Sequence, residues 1–295
     1  MNKGIIYIIL SGLCFLIVNF FVKLLGGGSQ NLVEGLQKYP GHELVLARSI
    51  VSFAISLFII KKRKLPLFGN NKRWLIIRGV SGTIALTIFF YTIHYLPLAI
   101  AATVQYLAPI FTIIIAVIFL KEKVNTLQWL FIGLSFSGVV LIALDKITGV
   151  NAEPEQISFF WLGLGLISAV FSGLAYTAII KLKSTDAPIT IVFYFPMIAI
   201  PIMILLCFYS FTIPQGIEWF FLLLIGIFTQ LAQISMTRAL HSGNASTITP
   251  FQYLGAIYAF LLGYFIFDET LNMIVNIGIC LVISGVIVNV VIRKC

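Results

Sequence analysis

The chain has 295 residues, 60% of them hydrophobic and only 10% charged, with a mean hydropathy of +1.07. These values lie far outside the range of soluble domains and exclude an ordinary water-soluble enzyme or adaptor. The net charge of +9 would suit a nucleic-acid partner if the basic residues shared one face, but they fall on alternate loops between apolar runs, as the positive-inside rule requires.

Crossing roughly 30 Å of hydrocarbon takes about 20 apolar residues. Ten such stretches follow one another, at approximately 4–24, 43–60, 74–94, 98–119, 125–144, 158–180, 188–208, 217–238, 245–267 and 271–292. The first begins like a signal peptide, with Lys3 ahead of an apolar run, but continues to Phe21 with no small-x-small cleavage site before Lys23, so it is expected to stay as a span. With both termini cytoplasmic, the inner side collects Lys3, the run from Lys61 to Lys64, Lys72, Arg73, Arg78, Lys121, Lys123, Lys181, Lys183, Arg238, Arg293 and Lys294. The outer half keeps Lys23, Lys38, Arg48 and Lys146. This asymmetry predicts an integral protein of a bacterial inner membrane, in contact with lipid and with no nucleic-acid partner. Cys14, Cys207, Cys280 and Cys295 show no paired spacing, and so give no disulfide framework, metal site or redox motif.

The second half of the chain repeats the first at an offset of 147 residues. Gln105-Tyr106-Leu107 matches Gln252-Tyr253-Leu254, and without a gap His94 falls on His241, Glu122 on Glu269, Asn125 on Asn272, and Ser137-Gly138-Val139 on Ser284-Gly285-Val286. Residues 1–147 and 148–295 are therefore expected to be two copies of one unit. Five spans per unit is an odd number, so the second copy enters the bilayer inverted, the arrangement of transporters that rock about a midplane site.

Polar residues that share a helical face inside a span mark a wet cavity, because the same groups facing lipid are costly. The third span carries Thr83, Thr87, Tyr91 and His94, and the fourth Gln105, Tyr106 and Thr112. The sixth adds Ser168, Ser172 and Tyr176, the eighth Gln230, Gln233, Thr237 and Arg238, and the ninth Thr249, Gln252 and Tyr253. Ser and Thr can instead bond their own helix's carbonyls. A glutamine amide needs partners that its own helix cannot supply, which points Gln105 and Gln252 toward a shared central site, with bonding between helices as the rival use. Pro109 should free the carbonyl of residue 105, Pro196 and Pro201 should break the seventh span, and Pro250 lies near the start of the ninth. Lys23, Arg48 and Arg238 lie near span ends, where binding a carboxylate or phosphate competes with snorkelling to the interface.

None of the ten carboxylates is predicted in the middle of a span, which argues against proton-coupled export of cationic drugs. No phosphate-binding loop, metal-ligand cluster or nucleophile elbow occurs, leaving ATP drive, a catalytic centre, a metal and a cofactor without support. Small residues such as Gly133, Gly138, Gly278 and Gly285 permit close helix contact, internal or in a homodimer.

Asn19 and Lys23, Ala47-Arg48-Ser49, the turn from His94 to Ala99, and the Glu after each fourth span (Glu122 and Glu269), in this order over nearly the whole chain, resemble the drug/metabolite transporter superfamily in its EamA-like branch. The resemblance implies an all-α membrane protein of ten helices, an inverted five-plus-five repeat around a central cavity, with spans 5 and 10 peripheral. The expected substrate-binding residues are Asn19, Thr87, Tyr91, Gln105, Tyr106, Ser172, Tyr176, Gln230, Gln233, Arg238, Gln252 and Tyr253. The expected activity is alternating-access transport of small polar metabolites, amino acids or their relatives first. Uptake of a nucleoside-like metabolite is the alternative, and a membrane-embedded enzyme or a non-transporting scaffold the unlike classes.

Overall fold

The computed structural model describes residues 3–26, 35–120, 158–208, 211–242, 254–268 and 273–292, with 130, 133–134, 137–138 and 141. Ten helices fall among them: α1 (Lys3–Leu25), α2 (Gly41–Lys62), α3 (Lys72–Tyr95), α4 (Leu98–Gln105), α5 (Ala108–Leu120), α6 (Phe159–Leu182), α7 (Pro188–Cys207), α8 (Glu218–Ser242), α9 (Leu254–Ile266) and α10 (Met273–Ile292). Chains this rich in Ile, Val and Phe would favour strands in water. In lipid each backbone polar group must be satisfied within its own segment, and that forces helix.

Seven of the predicted spans are long and apolar enough to cross a membrane: Gly4–Leu25, Gly41–Lys62, Lys72–Tyr95, Ile100–Phe119, Phe159–Leu182, Pro188–Cys207 and Glu218–Ser242. The protein is an integral membrane protein. Its outward surface agrees, with Ile118, Phe119 and Leu205 each more than 60% exposed, a pattern a water-facing surface rarely carries. The predicted fifth span lies mostly outside the described residues, and the ninth is described only in its second part, as α9.

The prolines act differently from one another. The fourth span splits as expected, with α4 ending at Gln105 and α5 starting at Ala108, because Pro109 offers no N–H to the carbonyl of residue 105. Leu107 N–H turns to Val104 O at 3.1 Å instead. The expected breaks at Pro196 and Pro201 do not occur, since α7 runs through both. Packing of α7 against α2 and α3 holds the helix across the missing hydrogen bonds, as neighbouring helices do in membrane bundles. Pro250 lies outside the described residues.

Contacts between helices come in reciprocal pairs. α1 lies along α8 and α6 along α3, while α2 meets α8 and α3 meets α7. Ser11 Oγ of α1 donates to Ala232 O of α8 at 2.9 Å, and Ser168 Oγ of α6 donates to Ala85 O of α3 at 2.7 Å. A side chain at Gly79 would run into Ile198 and the carbonyl of Tyr194, and one at Gly226 into Val51. Two carboxylates then tie the helix ends. Glu218, the first residue of α8, accepts bonds from Gln37 N–H at 2.6 Å, Tyr39 Oη at 2.6 Å and Gln215 N–H at 2.7 Å. Burial and the Glu218 carboxylate push the Tyr39 hydroxyl pKa well above its usual range.

At the other end of α2, Asp186 just before α7 accepts from Asn70 N–H at 2.6 Å and Asn71 N–H at 3.3 Å, beside the start of α3. Gly69, at φ +57°, leaves the space that the Asp186 carboxylate enters. The 22 residues of α2 span about 33 Å, so the two carboxylate ties lie at opposite ends of the bundle, a bilayer core's thickness apart.

Gly79→Leu and Gly226→Leu should each lower the unfolding temperature of the detergent-solubilised protein, at about 1–3 kcal/mol for overpacking a tight contact. Gly163→Ala should leave it unchanged, since nothing lies within 4 Å of a Cβ atom there.

Candidate substrate cavity

A cavity of about 130 Å³ opens among α1 to α8, with the α4–α5 break on its wall. It is close in size to an apolar cavity that admits a benzene molecule. Phe15, Phe89, Phe90, Phe195 and Met236 make its apolar walls, and the polar groups among them are few.

Two of those polar groups are arginines. Arg48 of α2 is 1% exposed and Arg78 of α3 is 2% exposed. Both guanidiniums lean on one ring: Arg48 Cζ lies 4.9 Å and Arg78 Cζ 5.9 Å from the centroid of Phe195, and Arg48 Cζ also lies 5.8 Å from Phe90. Arg78 Nη2 donates to Gln233 Oε1 at 2.9 Å. Its Nε, and Nε and Nη1 of Arg48, have no hydrogen-bond partner among the described residues. Gly82, one turn beyond Arg78, leaves the room that Arg78 Nη1 fills.

None of the described carboxylates, Glu43, Asp186, Glu218 and Asp268, lines the cavity. A guanidinium stays charged in any protein environment. Cation–π contact returns about 0.5–2 kcal/mol, less than the several kcal/mol that an unpaired buried charge costs. The chamber therefore carries two positive charges that the described protein groups leave uncompensated.

These arginines are the main departure from the sequence reading. Arg78 is not an inner-loop residue: α3 starts at Lys72, and a helix turn and more separates Arg78 from that end. Arg48 does not snorkel either, because its guanidinium is buried in the bundle against Phe90 of α3 and Phe195 of α7. The available signal was a charge set well inside an apolar run, which in a span marks a functional position more often than an anchor. Lys23 behaves as an end residue, its Nζ donating to Leu96 O at 2.9 Å.

Six of the expected substrate-binding residues line the cavity together: Asn19, Gln105, Tyr106, Ser172, Tyr176 and Gln233. Gln105 is held from α6, its Nε2 donating to Ser172 Oγ at 2.7 Å and its Oε1 lying 2.9 Å from Ser168 Oγ, whose single proton it shares with Ala85 O. It thus serves both uses weighed for it, helix bonding and cavity lining. Four others lie elsewhere. Thr87 bonds back to Thr83 O at 2.8 Å, the local use open to any helical threonine. Tyr91 pairs with His42 Nδ1 at 2.6 Å and stacks on Trp161, which also stacks on Tyr95 at 4.1 Å. Gln230 bonds Ser56 Oγ at 2.7 Å between α8 and α2. Arg238 stands outside the chamber, in a separate hollow with Lys62 and Arg63 and 5.8 Å from the Tyr7 ring. Gln252 and Tyr253 lie outside the described residues.

Comparison with known proteins adds a consistent set of matches. The EamA-like transporter family matches the chain twice, over residues 2–144 and 159–291. The pseudopaline exporter of Pseudomonas aeruginosa is 27% identical, with 97% of this chain and 95% of the relative covered. The riboflavin transporter of Vibrio cholerae is 25% identical over 90% of this chain and 85% of its own. The S-adenosylmethionine uptake transporter of Rickettsia felis is 24% identical, covering 85% and 84%. A protein of known crystal structure shares the fold at a TM-score of 0.62 and 16% identity, covering 96% of this chain and 98% of that one.

Placement outside the chamber predicts that Arg238→Gln leaves solute binding unchanged, as measured on purified protein. Gln105→Ala should lower the unfolding temperature by removing two buried bonds, worth about 1–3 kcal/mol together.

Proposed function

We propose a substrate class and a working cycle for this chain, which belongs to the EamA-like transporter family and is a small-molecule transporter: secondary transport of small polar metabolites, amino acids and their relatives first, by alternating access between inverted halves, residues 1–147 and 148–295. The observation that carries this reading is the chamber, whose polar lining comes from both halves: Asn19, Arg48, Arg78 and Gln105 from one, Ser172, Tyr176 and Gln233 from the other.

The reciprocal contacts support the two halves. Ser11 and Ser168 stand at the same distance from the starts of the two family matches, residues 2 and 159, and make the same bond to the partner half. Gly79 against Ile198 and Gly226 against Val51 are equivalent at the offset of 147 residues. Such exchange of partners is what an inverted repeat produces. The carboxylate ties at the two ends of α2 supply one closure on each side of the membrane, and opening each in turn exposes the chamber to one compartment. The named relatives carry chemically diverse small solutes, consistent with a common scaffold and a variable lining.

Both termini are cytoplasmic in this reading, with the Lys61–Lys64 run and Lys72 and Arg73 inside. Reporter tags at the two ends should therefore signal the same compartment. Proteoliposomes loaded with a mixed metabolite pool, followed by mass spectrometry, should show selective loss of small polar solutes; a pool retained in full removes the permease reading. Asp186→Ala and Glu218→Ala should shift the cycle in opposite directions. A cysteine placed in the chamber should become more reactive from the side whose tie is lost, read with an impermeant thiol reagent.

A further inference from the structure

The permease reading leaves open what kind of solute the chamber takes. We propose that Arg48 and Arg78 form a two-point receptor for a small organic dianion, carried with one negative charge against each guanidinium. The inference rests on the permease reading for its transport step and on the cavity alone for its binding step.

Three observations converge on it. The two guanidiniums face one space and lean on the same Phe195 ring, so a single ligand meets both. Arg48 Nε and Nη1 and Arg78 Nε are buried without a partner, and a guanidinium fork is shaped for the oxygens of a carboxylate or phosphate. No described carboxylate lines the chamber to neutralise them. A monoanion satisfies one arginine and leaves the other unpaired; a neutral or cationic solute leaves both. The aromatic walls, Phe15, Phe89 and Phe90 among them, add contact area that an inorganic ion cannot use, so the ligand has a carbon body. The volume admits roughly a benzene-sized solute, which suits a dicarboxylate of about five carbons or a small phosphate monoester.

The test uses glutarate, its monomethyl and dimethyl esters, glycerol 3-phosphate, inorganic phosphate and chloride, with binding to the purified full-length protein read by thermal shift. Glutarate or glycerol 3-phosphate should stabilise the protein saturably, and the stronger of the two identifies the anionic group. If glutarate is the stronger, each methyl ester should weaken its binding about tenfold or more, the loss expected when a charged partner is removed from a buried pair. Arg48→Gln and Arg78→Gln should each weaken binding of the stronger dianion by at least the same factor, and Arg48→Lys by less. Without ligand, the Gln variants should unfold no earlier than the wild type, since each removes an unpaired buried charge; arginines that merely held helices together would show early unfolding. Equal binding of dimethyl glutarate and glutarate, equal protection by chloride or inorganic phosphate, or no response to either organic dianion overturns the proposal. Proteoliposome flux separates the two readings. A dianion that binds in this pattern while the protein moves no solute leaves the receptor standing and removes the permease. Transport of a neutral or cationic solute that is indifferent to Arg48→Gln and Arg78→Gln keeps the permease and removes the receptor.

Discussion

Inside a bilayer there is no water to satisfy a stray polar group, and each one left alone costs several kcal/mol. That constraint orders the whole molecule. It makes the chain helical, and it turns serines and threonines back onto carbonyls, as with Thr83 to Gly79 O and Thr112 to Ala108 O. It also sends the longer polar groups across helix interfaces, as with Gln230 to Ser56 and Gln105 to Ser168 and Ser172. Its costliest breach, two buried guanidiniums, lies at the chamber. Arg48 and Arg78 are kept in the bundle with donors unused, although leucine or methionine there would pack at lower cost. Such an expense in the interior of a span is the mark of a position held for ligand chemistry.

Close packing and an open chamber are compatible because small residues carry the contacts. Gly79 and Gly226 bring α3 onto α7 and α8 onto α2, and Gly173 lets α6 meet the backbone of Phe111 and Thr112. Bulk is displaced to the chamber walls, where phenylalanines line the space left by the split at Tyr106 and Leu107. The split depends on one residue, Pro109, and it sets the turn beside Gln105 and Tyr106 against the cavity.

Much of this was legible before any coordinates. Hydropathy anticipated the seven helices long and apolar enough to cross a membrane, and the local rule for proline gave the break at Pro109. The polarity of Asn19, Gln105, Tyr106, Ser172, Tyr176 and Gln233 was enough to assign them to the lining. What failed was direction. Thr87 and Tyr91 share a stripe on α3 with Thr83, but Arg78, Gly82 and Phe89 hold the face toward the chamber, and a periodicity argument cannot say which of two faces meets which neighbour. Arg78 was misread for a different reason: it fell inside the expected span 74–94 yet was counted with Lys72 and Arg73 as an inner-side charge, whereas α3 carries it more than a turn from Lys72 into the bundle. Pro196 and Pro201 show that proline breaks a helix only where neighbours do not hold it.

The uncompensated arginines also give the chamber an electrical state. Each elementary charge moved through a membrane potential of 100 mV exchanges about 2.3 kcal/mol with the field. A chamber holding two guanidiniums and a dianion is neutral, so its reorientation is nearly blind to voltage. The vacant chamber holds two positive charges, and any part of the field that they cross during the return is felt in full. In an alternating-access cycle of the kind proposed, the two halves would then differ in voltage sensitivity, with the vacant return the charge-moving step, and a second anion arriving on the far side would let the carrier come back uncharged.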